Sequence, residues 1–358
     1  MVDISDKYYQ SHQKLPFIGL KGQELMHQAK VLIIGAGGLG CPCLQFLAGS
    51  GIGTIGITDF DRVEISNLHR QFLYTVADIG KLKTDTAVEK LTAYNPYIKF
   101  NAHSLYIDQD NVLSLIEGYD IIVDCTDNFA VRYLVNDACV FLNKPLVYGA
   151  IHQAEGQVTI FNFQQSPTLR CLFPETKANN NLLTCAAAGS YNMITGIIGI
   201  MMANEVIKII LDHPDNMAGK LTHVDALTGY SRQIKYTSSA DGRAISIARF
   251  DHSDSPPEIS VAELIRKMQN KEDIFLVDVR DASEPNIFNI GGVHIPLQLL
   301  REDTLSNLPH QIPVITYCES GVRSLRATEY LITIGYLNCF SLKGGLSDWK
   351  SDQLKLMT

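Results

Sequence analysis

The chain carries a seven-residue run, Cys318-Glu319-Ser320-Gly321-Val322-Arg323-Ser324, that follows a β-branched stretch and leads into a helical pattern. It sets a thiol at the mouth of a loop. Backbone N–H groups curling around the sulfur, a helix N-terminus and the Arg323 guanidinium would favour a thiolate and then a persulfide anion. Four residues separate Cys318 from Arg323, one fewer than a loop that surrounds a phosphate needs. The shorter loop favours sulfur.

A second constellation lies far upstream. Gly35, Gly37 and Gly40 form a G-x-G-x-x-G between a strand pattern and a helical one. There, glycines let the backbone approach phosphates and the helix dipole favours anions. Asp59 ends the next strand pattern, where a carboxylate commonly takes a ribose hydroxyl. To this point a dinucleotide dehydrogenase fits as well as any other nucleotide enzyme. The next segment has no place in a dehydrogenase: Asp61, Ser66, Asn67, Leu68, His69, Arg70 and Gln71, then Lys83 in Gly80-Lys81-Leu82-Lys83. Arg70 and Lys83 supply two cations where a triphosphate would lie. Asp127, in Asp124-Cys125-Thr126-Asp127-Asn128, falls at the C-terminal end of a strand pattern, where open α/β sheets bind ligands, and is the expected Mg²⁺ ligand. Reaction of a carboxylate with an ATP phosphate brings anions together, so cations must gather as pyrophosphate leaves.

These residues need a scaffold, and the pattern supplies one. The runs Val31–Ile34, Thr54–Thr58 and Ile121–Val123 alternate with helical stretches, which implies a parallel sheet with crossover helices. Periodicity fades into polar residues between Tyr236 and Glu258, closed by Pro256 and Pro257, and residues 237–257 read as a linker. The expected domains are therefore 1–236 and 258–358, both α/β, the first Rossmann-like and the second smaller. The second has strands near Ile274–Val277 and Val314–Tyr317 and a helix near Leu325–Ile334. At 358 residues, with about 150 residues per domain as the usual scale, two domains are expected. A hydrophobic fraction of 46% with 19% charged residues is that of a folded globular chain. A net charge of −8 argues against nucleic acid, whose affinity rests on neutralising phosphates. Met1–Leu15 lacks an apolar run behind a basic start, so no secretory signal is read and a cytoplasmic place is expected. Met193–Leu211 is the most apolar stretch, but Asn204, Glu205 and Lys208 interrupt it, so a buried helix rather than a membrane span is expected. The eight cysteines are then reduced thiols.

The upstream residues resemble the adenylyltransferases that activate molybdopterin and thiamine sulfur carriers, the MoeB/ThiF/HesA family, bacterial relatives of ubiquitin-activating enzymes. The resemblance runs from about Gly19 to Ile234 and rests on Gly35–Gly40, Asp59–Gln71, Lys83, Asp124–Asn128 and Glu155-Gly156-Gln157. It implies nucleotide-binding roles for Gly38, Asp59, Ser66, Asn67, Leu68, His69, Arg70, Lys83, Asp127 and Asn128. It also implies a homodimer and a carrier whose Gly-Gly tail threads toward the nucleotide. The downstream residues resemble the rhodanese sulfurtransferases over about Glu258–Lys350, with Asp278-Val279-Arg280 before the loop and Gly344-Gly345 to Trp349 behind it. The stretch Ile287–Pro296 departs from the family's usual G-H-I-x-G-A.

Two departures concern the first domain. Members often begin with R-Y-x-R-[QH], whose second Arg reaches the partner subunit's ATP, whereas Ser11 stands there in Tyr8-Tyr9-Gln10-Ser11-His12, with Lys7, His12 and Lys14 as nearby substitutes. Many relatives also carry two C-x-x-C pairs for structural zinc. Here Thr168 stands three before Cys171 and no cysteine lies between Cys185 and Cys318, so no zinc is expected and Cys171 reads as a buried packing thiol. Cys185 follows Asn179-Asn180-Asn181 and precedes a small-residue helix start. The family places there a cysteine implicated in thioester or acyl-disulfide chemistry. Cys41 and Cys43 read as packing, and Cys125, Cys139 and Cys339 carry no second signal.

The resemblance implies ATP-dependent adenylation of the C-terminal glycine of a small ubiquitin-like carrier, in molybdenum-cofactor or thiamine biosynthesis. Sulfur transfer from Cys318 to form a thiocarboxylate would follow, with Cys185 resolving the acyl-persulfide or briefly holding the carrier. A cysteine desulfurase or another donor would load Cys318. Three other readings stand beside it: a nicotinamide oxidoreductase, a carrier-binding module without catalysis, and adenylation of an RNA-linked or peptide carboxylate.

Overall fold

The structure is a computed structural model that describes residues 7–174, 189–250, 256–281, 284–285, 288–300, 308–309, 312–336 and 338–356. The chain divides into two compact units, Met1–Phe250 and Asp251–Thr358.

In the first unit, β1 (Lys30–Ile34), β2 (Thr54–Thr58), β3 (Lys99–His103), β4 (Ile121–Asp124) and β5 (Leu146–His152) are parallel. β6 (Glu155–Phe161), β7 (Lys220–Asp225) and β8 (Ser231–Lys235) extend the sheet antiparallel, in the order β3-β2-β1-β4-β5-β6-β7-β8. The central strands read as nearly continuous apolar runs because both faces are covered, as parallel sheets require. Short α1 (Gln10–Gln13) and α2 (Gly19–Gln28) precede the sheet, and α3 (Gly40–Ser50), α4 (Lys83–Tyr94), α5 (Val112–Glu117) and α6 (Phe129–Phe141) are its crossovers. One core holds Val31, Ile33, Leu44 and Leu47, and the other, across the sheet, holds Leu32, Ile122, Tyr133 and Val135.

After α7 (Leu169–Leu172) comes α8 (Asn192–Ile210), the stretch expected as a buried helix. By length and composition it could cross a membrane. It packs instead against α3, β5 and β6, burying Ile194, Ile198, Met202, Val206 and Ile209. That spacing of three and four is one face of a helix laid on a sheet.

The structure corrects the expected linker. Within 237–257, α9 (Ala240–Ala248) is capped by the Ser239 hydroxyl accepting from the Gly242 N–H, and it packs on α6 and α7. Its Ser246 is buried and donates to Asp137 Oδ1 at 2.7 Å, while Arg249 Nη1 approaches Asp137 Oδ2 at 3.3 Å. Arg170 of α7 completes the set, with Nε and Nη2 donating to the same carboxylate at 2.8 and 2.7 Å. The polar composition that suggested a linker thus serves a buried aspartate.

The second unit has a parallel sheet in the order β11-β10-β12-β13-β9, made of β9 (Glu258–Ile259), β10 (Phe275–Asp278), β11 (Val293–His294), β12 (Val314–Tyr317) and β13 (Cys339–Leu342). α10 (Val261–Gln269) and α12 (Gly345–Leu356) cover one face with Leu264, Leu346 and Trp349, and α11 (Val322–Thr333) covers the other with Ala327 and Leu331. α11 begins one turn earlier than the sequence suggested, directly inside the thiol loop.

Candidate functional site

A cavity of about 460 Å³ opens at the carboxyl ends of β1, β2 and β4. The turn beneath it is tight. Gly35 has φ +95°, and a side chain at Gly40 would sit 2.0 Å from the Gly35 carbonyl oxygen, so the chain folds back only with glycine at both places. Gly38 lies against the stem of Arg70, where a Cβ would come within 3.6 Å of Cδ. Asp59 holds the turn in place, accepting from the Ala36 N–H and the Asp61 N–H, both at 2.8 Å.

Around this floor stand the charges. Lys83, at the start of α4 and 5% exposed in its side chain, bonds Asp61 at 2.7 Å and lies 3.8 Å from Asp59. Arg70 is braced by its own loop, donating to Asn67 Oδ1 at 2.6 Å and to the Ser66 carbonyl at 3.3 Å. Asp127 is exposed on the cavity wall, and no hydrogen bond or ion pair with another described residue engages it. Asn128 caps α6, its Oδ1 accepting from the Ala130 and Val131 N–H groups, which turns a helix N-terminus toward the cavity.

Of the ten residues expected to bind nucleotide, Gly38, Asp59, Ser66, Asn67, Arg70, Lys83, Asp127 and Asn128 line this cavity. Leu68 and His69 do not. Leu68 packs on the core, and His69 is exposed with Nδ1 turned to the Ser66 carbonyl at 3.1 Å. A short helical turn spreads consecutive residues around its axis, so an unbroken run cannot all face one pocket.

Sequence reasoning missed several walls. Arg132, three residues into α6, is buried and donates to the Thr126 carbonyl, to Tyr148 Oη at 2.9 Å and to the Gly149 carbonyl at 3.3 Å. It clamps the loop carrying Asp127 to β5. The buried Asp124 carboxyl is pushed up by burial, against the lowering effect of Arg132 and Thr126. Leu105, Tyr106 and Ile107, after β3, line the cavity beside Phe60, whose ring meets that of Tyr106 edge-on at 5.2 Å. A helical spacing from Asn128 to Arg132 was the one signal available for any of these.

The N-terminal substitutes lie elsewhere. Tyr9 is buried, and its Oη accepts from Asn95 at 2.7 Å. Asn95 ends α4 while Lys83 begins it, so the two are separated by roughly 18 Å at 1.5 Å per residue. Lys7, Ser11, His12 and Lys14 are not among the residues that line the cavity.

Cys171 is corrected. It is partly exposed and hydrogen-bonded rather than packed, its Sγ close to Thr168 Oγ1 at 3.3 Å and accepting from the Ser239 N–H at 3.3 Å. Burial raises its pKa, but the Thr168 and Ser239 donors outweigh it and the net shift is downward. Cys41 and Cys43 are buried, and burial pushes the Cys41 thiol up to about 12. Cys125 lies on the cavity wall, its thiol held up by a hydrogen bond with Cys43 and by burial. Cys139 and Cys339 are also buried. Cys185 lies outside the described residues.

In the second unit, Cys318 is fully buried behind β12, with its Sγ accepting from the Gly321 N–H at 3.1 Å and 3.7 Å from Ser324 Oγ. Gly321 has φ +89° and starts α11, so the loop curls over the sulfur. From α12, the Leu346 and Ser347 N–H groups donate to the Cys318 and Glu319 carbonyls, both at 2.9 Å. Arg323 does not bond the thiol. Its guanidinium grips Glu284 at 2.6 and 2.9 Å, which pulls the Glu284 carboxyl down to about 2. Its charge reaches the sulfur only through space. Arg280 in turn is locked to Asp278 at 2.6 Å and approaches Glu319 at 3.5 Å.

Fold and cavity define a nucleotide-binding α/β enzyme followed by a thiol-loop module. The chain belongs to the ThiF family, which it matches over residues 9–243, and a rhodanese-like domain matches residues 260–352. It is similar to the probable adenylyltransferase/sulfurtransferase MoeZ of Mycobacterium tuberculosis, 36% identical over 95% of this chain and 92% of that one. It is 42% identical, over 64% of its length, to 86% of a sulfur carrier protein adenylyltransferase of Thermus thermophilus. Among solved structures, E. coli MccB shares the fold at a TM-score of 0.58 and 23% identity, over 66% of this chain and 71% of that one. The chain is thus an enzyme with an adenylyltransferase and a sulfurtransferase domain, and adenylyl transfer implies use of ATP. The nicotinamide and non-catalytic readings are set aside.

Proposed function

We propose that the chain adenylates the C-terminal glycine of a ubiquitin-like sulfur carrier and then sulfurates it. The observation that carries this reading is the gathering of Arg70, Lys83 and Asp127 around one cavity over a glycine turn. A carboxylate oxygen of the carrier attacks the α-phosphorus of ATP, the bond to the β-phosphate oxygen breaks, and pyrophosphate leaves. Lys83 and Arg70 offset the charge that builds on the phosphates. Lys83 would exchange Asp61 for phosphate, which its pairing in the ligand-free cavity allows.

The donor set suits Mg²⁺. Asp127 is an unengaged carboxylate on the cavity wall, and a metal of this kind commonly takes one or two carboxylates, with phosphate oxygens and water completing the octahedron. When bound, the metal neutralises phosphate charge.

In the second step a persulfide on Cys318 attacks the acyl-adenylate carbonyl and AMP leaves, giving an acyl persulfide. A thiolate then attacks the Cys318 sulfur, releasing the thiocarboxylate and leaving a disulfide that an external thiol reduces. Cys185 is our candidate for that thiolate. Tethering the two domains in one chain raises the donor's effective concentration. A cysteine desulfurase or similar persulfide donor would load Cys318, in the cytoplasm. A homodimer fits the outward face of α8, where Met193, Ile197 and Ile200 are exposed.

Carrier-dependent ATP–pyrophosphate exchange tests the reading. Asp127→Ala should abolish exchange. Exchange that survives would sink the assignment.

A further inference from the structure

Beside the nucleotide cavity lies a second one, of about 480 Å³, over the edge of the same sheet. Its floor is set by strand register. Lys30, Thr54 and Lys99 stand in one row at the starts of β1, β2 and β3, and Asn101 and His103 follow on the same face of β3. In the middle of that face Gly56 has no side chain, and Tyr119 fills the space: a Cβ at Gly56 would lie 2.3 Å from its hydroxyl. The hydroxyl lies 2.7 Å from His103 Nε2 and accepts from Asn101 Nδ2 at 3.3 Å, so the floor is a fixed polar surface.

The charge on this surface is one-sided. Among the described residues, Lys30 and Lys99 line the cavity and no Asp or Glu does, while His103, its pKa lowered by burial, stands as a neutral polar group. Among the described residues no carboxylate pairs with either lysine ammonium; Asp120 accepts from the Lys30 backbone N–H at 2.8 Å. In a chain of net charge −8 this is out of keeping with the whole, and the nucleotide cavity by contrast is lined by Asp59, Asp61, Glu64 and Asp127. Two unpaired ammonium groups at a concave polar surface attract small anions.

The two cavities share a wall. Leu105 lines both. Asn111, on the second cavity, donates through Nδ2 to the Tyr106 carbonyl at 2.9 Å and accepts from the Asp108 N–H at 3.1 Å, which ties down the segment whose Tyr106 lines the first. In register with His103 stands Thr58, on the nucleotide side, whose buried hydroxyl has no partner among the described residues.

We propose that this second cavity is an effector site for a small phosphate-bearing anion, held by Lys30 and Lys99, and that its occupancy changes nucleotide affinity through Asn111 and the 104–107 segment. The inference rests on the proposed function only in taking the first cavity's ligand to be ATP. Coupling between the sites is reciprocal, and a change of about 5-fold in nucleotide affinity is at the lower end of ordinary allosteric effects.

Titration calorimetry of the full chain with pyrophosphate tests it, with the nucleotide cavity first saturated by a non-hydrolysable ATP analogue and Mg²⁺. Saturable binding is expected, weakened at least about 10-fold, or roughly one unit of log Kd, in Lys30→Gln/Lys99→Gln. In Asn111→Ala, binding should persist while the anion's effect on analogue affinity disappears. No saturable binding, or undiminished binding in the double lysine variant, overturns the site. Binding without any change in analogue affinity overturns the coupling. An unliganded chain that fails to bind the analogue at all would fault the proposed function instead.

Discussion

The two chemical sites are built in opposite ways. The nucleotide cavity draws its groups from segments spread between Ile34 and Thr195, and it leaves Asp127 unengaged and Lys83 paired with the half-exposed Asp61. The thiol loop is contiguous, and its surrounding charges are spent on one another: Arg323 on Glu284, Arg280 on Asp278, Lys350 on Glu319 at 2.7 Å. An open set of charges suits a soluble multivalent anion that arrives with its own counterions. A closed set suits a sulfur that must be kept from water and stray oxidants.

If the sites are this separate, damage to one should spare the other. Cys318→Ala is expected to lower thiocarboxylate formation to background while ATP–pyrophosphate exchange stays within about two-fold, because the thiol takes no part in adenylation; a parallel fall in exchange would break the contrast. Asp137→Ala removes the carboxylate under Arg170, Arg249 and Ser246, and should cost the first unit about 3–5 kcal/mol in denaturant unfolding. Lys83→Ala should reduce exchange by about 10²- to 10³-fold, or roughly 3–4 kcal/mol in the transition state.

The smallest effect sharpens the loop side. Glu284 has its carboxyl lowered from 4.5 to about 2 by Arg323. A depressed acid stabilises the folded state above its unfolded pKa and loses that contribution as pH falls, here between about 4.5 and 2. Its side chain is 29% exposed, so screening should leave about 1–2 kcal/mol of the contribution. Trp349 is the chain's one tryptophan and is buried in this unit, so its fluorescence follows the loss. Glu284→Gln should flatten the dependence in that window. An unchanged slope would mean that the Arg323–Glu284 pair adds nothing to folding.

The same contrast decides what could be read from the amino acids alone. The thiol loop was legible because its function sits in consecutive residues, and the parallel strands were legible because burial on both faces leaves unbroken apolar runs. Asp59, Lys83 and Asp127 stood out through the order of their motifs. Arg132 and Tyr106 did not, because their places depend on how β5 and the segment after β3 come together. The expectation that Arg323 serves the sulfur did not foresee Glu284, which holds the guanidinium from 39 residues earlier, because no local pattern joins them. Polar composition misled at 240–250 because a helix that feeds a buried carboxylate must itself carry serine and arginine.

The buried Asp137 carboxylate also dictates how the gene may be cut. A fragment ended at the fading of periodicity near residue 236 would lack Ser246 and Arg249 while keeping the aspartate they serve. Such a piece would be expressed with an under-compensated charge in its core, and failure to obtain it soluble would say nothing about the enzyme. A fragment that keeps Asp137 with all its partners has to run past Arg249.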